Sequence, residues 1–167
     1  MTTKLGSAVT AKVINRLNAP ATGINAGVAA LSSPGSALTT PMLAGQVRAQ
    51  NVAADLAERS STVQYPAVNV YCEKVANKLS EKFRSFSGTV QMAVEVRHSQ
   101  DALTGLQDTL ELYTDSITQM LDGSRGDWDD GMFYAGGYEV ALGPVKQGGR
   151  NFTQAAKITF QIGVSRS

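Results

Sequence analysis

Three carboxylates fall within four residues in the stretch Gly126-Asp127-Trp128-Asp129-Asp130-Gly131. Clustered carboxylates are the ligand type that holds a hard cation such as calcium, so the spacing is the first thing to test. An EF-hand loop needs glycine at its sixth position and glutamate at its twelfth. Counting from Asp127 puts Gly131 fifth and Tyr138 twelfth, and the pattern fails. Two readings of the stretch are left: an acidic, Trp128-bearing contact loop, or a turn whose indole folds back onto the core. Arg125 precedes this stretch, and Lys146 and Arg150 flank a second turn at Gln147-Gly148-Gly149. Opposite charges on the two loops suit contacts between copies or with an adjoining protein. A solvated hairpin tip is the plainer alternative. The candidate interaction residues are therefore Arg125, Asp127, Trp128, Asp129, Asp130, Lys146 and Arg150.

Other chemistry finds little support. Cys72 and His98 are the only cysteine and histidine, so an internal disulfide is impossible and a zinc site would rest almost wholly on carboxylates. Gly-x-Ser-x-Gly, a phosphate-binding glycine loop, His-Glu-x2-His and Cys-x2-Cys are all missing from the sequence. No catalytic residue, metal ligand or cofactor site is assigned. An enzyme would have to combine Asp127, Asp129 or Asp130 with His98. Asn151-Phe152-Thr153 matches a glycosylation acceptor by chance spacing, since the polar stretch after Lys4 is not an export signal.

Fifteen basic residues against fourteen acidic ones give a net charge of +1 in 167 residues, and only 17% are charged. Soluble proteins average about 25%. Near-neutrality argues against a nucleic-acid binder, and a charge-poor surface suits a protein that buries much of itself against neighbours. No run approaches the roughly 18 apolar residues of a membrane span.

The elements that would carry these residues are read from periodicity. Residues 62–167 form an α+β domain, with a mainly antiparallel four-stranded sheet covered by helices. The clearest strand follows Gly88, with Val90, Met92, Val94 and Val96 inward. Val68, Val70 and Cys72 alternate in an earlier strand whose start Pro66 places near an edge. Tyr138, Val140 and Leu142, then Ile158, Phe160, Ile162 and Val164, predict a closing hairpin. Ser99 and Asp101 suggest the start of a helix whose Leu103, Leu106, Leu110, Tyr113, Ile117 and Leu121 recur every three or four residues, ending at Gly123. Glu73 to Phe86 is read as a short helix on Val75, Leu79 and Phe83, with an extended strand as the alternative.

Residues 1–61 form an N-terminal extension. Ser7 to Leu17 suits a short helix, Ala19 to Thr40 reads as a flexible Ala/Ser/Gly-rich arm, and Thr40-Pro41 opens a predicted helix over 41–59.

The stretches Tyr65-Pro66-Ala67-Val68-Asn69-Val70-Tyr71, Phe83-Arg84-Ser85-Phe86-Ser87-Gly88, Gly126-Asp127-Trp128, Gly131-Met132-Phe133-Tyr134 and Gly148-Gly149-Arg150-Asn151-Phe152, in this element order, resemble the tail-terminator proteins of tailed bacteriophages. The resemblance covers about Tyr65 to Val164 and contains no catalytic motif. It implies a homo-hexameric ring at the head-proximal end of a phage tail, in the neck of the virion, assembled in the host cytoplasm. Its partners would be further copies, the tail tube protein and a neck or head-completion protein. DNA would only pass through the lumen, and no membrane or cofactor would be involved. The long extension departs from a compact terminator, and the expectation is that it embraces a neighbouring subunit or ring. The alternatives are a head-completion or other neck connector, and a monomeric small-ligand module, which would show a concave apolar pocket.

Overall fold

A computed structural model of the chain describes residues 4–32, 41–52 and 64–167. Among them, three helices pack with one mostly antiparallel sheet of eight strands. The helices are α1 (Leu5–Leu17), α2 (Ile24–Leu31) and α3 (Leu106–Asp122). The strands are β1 (Val47–Ala49), β2 (Ala67–Asn77), β3 (Phe86–Gln100), β4 (Gly126–Asp127), β5 (Met132–Tyr134), β6 (Glu139–Leu142), β7 (Lys146–Gly148) and β8 (Asn151–Arg166).

The sheet is built outward from β3 and β8, which pair antiparallel from Phe86↔Arg166 to Gln100↔Phe152. Strand β2 flanks β3 antiparallel, and β1 lies parallel to β2 through Val47↔Val68. Along the other edge of β8, β5, β6 and β7 pair in turn, as three segments of one interrupted strand. Strand β4 pairs with β5.

Alternation decides the faces. Val90, Met92, Val94 and Val96 point inward beside Ile158, Phe160, Ile162 and Val164, and all eight are buried. Helix α3 covers them with Leu110, Ile117 and Leu121. Helix α1 adds Val9, Val13 and Leu17, each fully or almost fully buried. A helix of 13 residues is marginal alone, so this packing holds it, at about 1.5–3 kcal/mol for each large apolar side chain removed from water.

Several expectations are corrected. The sheet has eight strands where four were expected. The predicted helix over 41–59 does not form in its described part: Ala44–Gln46 is a single 3-10 turn and Val47–Ala49 is β1, while residues 53–59 lie outside the described residues. Pairing with β2 overrides the local helical spacing. The predicted helix over Glu73 to Phe86 is instead the end of β2, a turn and the start of β3. Helix α3 begins at Leu106 rather than near Leu103, because β3 runs on to Gln100, and Gly105 at φ 80 makes the bend into the helix. Within the stretch read as a flexible arm, Ile24–Leu31 is α2, packed on α3 with Ile24 buried. Residues 33–40 of that stretch lie outside the described residues.

Candidate functional site

The acidic loop follows α3. Asp127 accepts a hydrogen bond from the Asp129 amide at 2.9 Å, and Asp130 pairs with Lys12 of α1 at 3.0 Å. Asp129 and Asp130 both take left-handed backbone conformations, at φ 64 and φ 56. Trp128 turns the other way. It is 1% exposed, its Nε1–H donates to the Ser124 carbonyl at 2.6 Å, its ring lies 5.7 Å from Tyr134, and the Arg16 guanidinium sits 4.4 Å above it. Of the two readings of the loop, Trp128 follows the one in which the indole folds onto the core. The aspartates remain at the surface. Among the described residues, no group of three or more His, Cys, Asp or Glu side chains is placed to hold a metal ion.

Arg125 is exposed and pairs with Asp122 at 3.6 Å. Lys146 and Arg150, also exposed, lie on β7 and on the turn into β8, where Gly149 has φ 66. The acidic and basic loops therefore sit at opposite ends of β8, since β5, which β4 flanks, meets it near Gly163 and β7 meets it near Asn151. Any contact between them runs between molecules.

His98 and Cys72 do not meet. Cys72 pairs with Met92, and His98 lies six residues further along the same strand, roughly 20 Å at about 3.3 Å per residue. Nor does His98 reach the aspartates, because it pairs with Gln154 at the other end of β8. It packs 6.0 Å from the Tyr113 ring, with a buried Nδ1 that has no partner among the described residues. Burial pushes the imidazole below its ordinary value, against a smaller upward pull from a hydrogen bond with Gln100. Below about pH 6.5 the unfolded chain takes up a proton that the folded chain refuses. Stability from this group is therefore complete above that pH and declines as pH falls toward the lowered folded value. His98→Phe is expected to remove this slope, read as urea midpoints between about pH 7.5 and about pH 5. Parallel curves for the parent and the variant would refute it.

The sheet face away from the helices carries a polar network. Tyr71 Oη donates to Glu95 at 2.9 Å, and Arg97 Nη2 bonds Glu95 at 3.0 Å and the Val52 carbonyl at 2.8 Å. Glu73 is ion-paired with Lys157 and accepts from Gln91 at 2.9 Å. The Lys157 ammonium, followed by Gln91, holds the Glu73 carboxyl below the usual range, against burial, and Glu73 in turn raises Lys157. These charges are neutralised within the chain.

Among the described residues, apolar side chains gather at the surface in two places on the strands. At the β2–β3 turn, Val75, Leu79 and Phe83 are exposed, Phe83 at 99%, and Leu79 and Phe83 hold left-handed conformations at φ 47 and φ 64. Asn77 fixes this turn, its side chain bonding the Ser85 carbonyl and the Ser87 and Leu79 amides. On β6, Val140 and Leu142 are 42% and 44% exposed, with Tyr138 and Val145 beside them. The sequence pattern points to neither surface: Phe83 falls in a helical stripe and Val140 in the first strand of the predicted hairpin.

No protein-family model matches the chain, and no curated protein matches it.

Proposed function

We propose that this is a structural virion protein of the tail-terminator type, a ring of copies at the head-proximal end of a phage tail that ends tube polymerisation and joins tail to head. The observation that carries the reading is the β2–β3 turn. A fully exposed Phe83, with Leu79 beside it, is displayed on a turn that Asn77 fixes. Strained backbone of this kind gathers at functional positions, and exposed aromatic anchors on a fixed scaffold are the usual centres of protein–protein contact. In this reading the turn grips the last ring of the tube, the mechanism is geometric, and no residue acts as a catalyst. The resemblance in sequence supplies the number six and the place in the neck. The internally paired charges of the sheet face away from the helices suit a lumen through which DNA slides without being held.

The test is the mass of the purified protein by light scattering, followed by electron microscopy with tail tubes. Rings that cap tubes are expected. Phe83→Ser should keep the mass of the assembly while weakening tube capping by at least about tenfold, the loss of one modest anchor. A strict monomer that leaves tubes uncapped would overturn the reading. Rings that bind heads but never tubes would make the protein a neck connector instead.

A further inference from the structure

We propose that copies join head to tail by continuing the sheet, the β6 edge of one docking on the β1–β2 edge of the next so that Val140 and Leu142 enter a groove beside α1. The inference rests on the ring reading above and names the surfaces that close the ring.

Among the described residues both edges are open. Among the described residues β6 pairs only with β8, and β1 only with β2. Pairing with β1 stops at Val70, and among the described residues the rest of β2 has no strand neighbour on that side. An open edge presents unpaired amides and carbonyls that a further strand satisfies.

The two edges also fit each other in shape and direction. Val140 and Leu142 sit opposite Ile158 and Ala156, so they point to the helix-covered face, yet they remain exposed. On that same face at the far edge lies a cavity of about 510 Å³, lined by Gly6, Thr10, Ala11 and Ile14 of α1 with Ala49 and Cys72. Strands β2 and β8 both run antiparallel to β3, and β6 runs antiparallel to β8. A neighbour placed head to tail therefore brings β6 antiparallel to β2 with the helices of both copies on one side.

Charge selects this pairing over a two-fold one. Helix α3, which meets Tyr138 just before β6 through Asp122, carries Asp108, Glu111 and Asp115 besides Asp122, which Arg125 pairs, and no lysine or arginine, and Glu139 lies on β6 itself. Among the described residues the opposite edge carries Lys4, Arg48 and Lys74, while its carboxylate, Glu73, is held by Lys157. Joining β6 to a second β6 would crowd carboxylates, whereas joining unlike edges brings opposite signs together. A contact between unlike surfaces closes into a ring when its rotation permits.

Cys72, the only cysteine, lines the groove and provides the test. Val140→Cys, Leu142→Cys and Val145→Cys, made one at a time, sample the register, because a disulfide needs Cα atoms within about 7 Å. Mild oxidation of the assembled protein is expected to give, for at least one variant, a reducible ladder of cross-linked multimers. The parent should give none, and adding Cys72→Ser should abolish the ladder. Assemblies of full mass with no ladder from any variant would overturn this choice of edges and leave the ring reading standing. Dimers of the parent through Cys72 alone would show like edges meeting and also overturn it. A monomeric mass would overturn both.

Discussion

Trp128→Ala is expected to lower the free energy of unfolding by about 3–5 kcal/mol, the range for deleting a large buried aromatic side chain. The indole closes the end of the core where α1, α3 and the β4–β5 loop meet. It is buried against Tyr134, whose ring in turn meets Phe160 edge-on at 5.8 Å. Alanine would leave a cavity there and would strip the Ser124 carbonyl of its 2.6 Å hydrogen bond. It would also remove the ring beneath Arg16, loosening the end of α1. Trp128→Phe separates the contributions: most of the volume stays, the hydrogen bond is lost, and the expected cost falls to about 1–3 kcal/mol. Urea midpoints with light scattering on the same samples decide the matter. Unchanged stability with lost assembly would make Trp128 a contact residue after all.

Periodicity served best where one side of an element is buried along its whole length. Strand β3, strand β8 and helix α3 are such elements, and their inward residues are those the alternation and the three-to-four spacing select. It failed where a neighbour decides the structure. Val75, Leu79 and Phe83 imitate a helical stripe because they recur every four residues, yet all three are exposed. Polar groups hold that turn, chiefly Asn77, and they leave no hydrophobic period. Val47 belongs to a strand because Val68 lies beside it, not because of its own surroundings in sequence.

Helix α2 was missed for a related reason. Its Ala- and Gly-rich composition reads as a linker, but small residues also permit close helix packing. A Cβ at Gly27 would lie 2.8 Å from the Ser116 Cβ of α3. Asn25 then ties down Met42 through its amide and carbonyl, at 2.8 and 2.9 Å. At the candidate site, the charged loops were legible as charge, but the exposed Phe83 and the open β6 edge were not. Exposure is a property of the assembled sheet.

Arg97→Met is expected to cost about 2–3 kcal/mol, toward the low end for breaking a buried ion pair, because the Glu95 side chain keeps 22% exposure. Arg97 is 5% exposed, and its Nη2 serves both Glu95 and the Val52 carbonyl. Its Nε and Nη1 are buried without partners among the described residues, beside a cavity of about 30 Å³, room for about one water. A guanidinium in that position is retained at an energetic cost, so its removal alone should be less harmful than the stranded carboxylate and carbonyl it leaves behind. The double variant Arg97→Met with Glu95→Gln tests this directly. If the stranded charge dominates, the second change recovers part of the loss, and a double-mutant cycle gives a coupling above about 1 kcal/mol. A coupling near zero would mean that the two side chains only share a surface. The assembly mass should be unchanged in either variant, because Arg97 and Glu95 lie on β3, an inner strand between β2 and β8, and on the sheet face away from the helices. Lost assembly would move that face from the lumen into the contact between subunits.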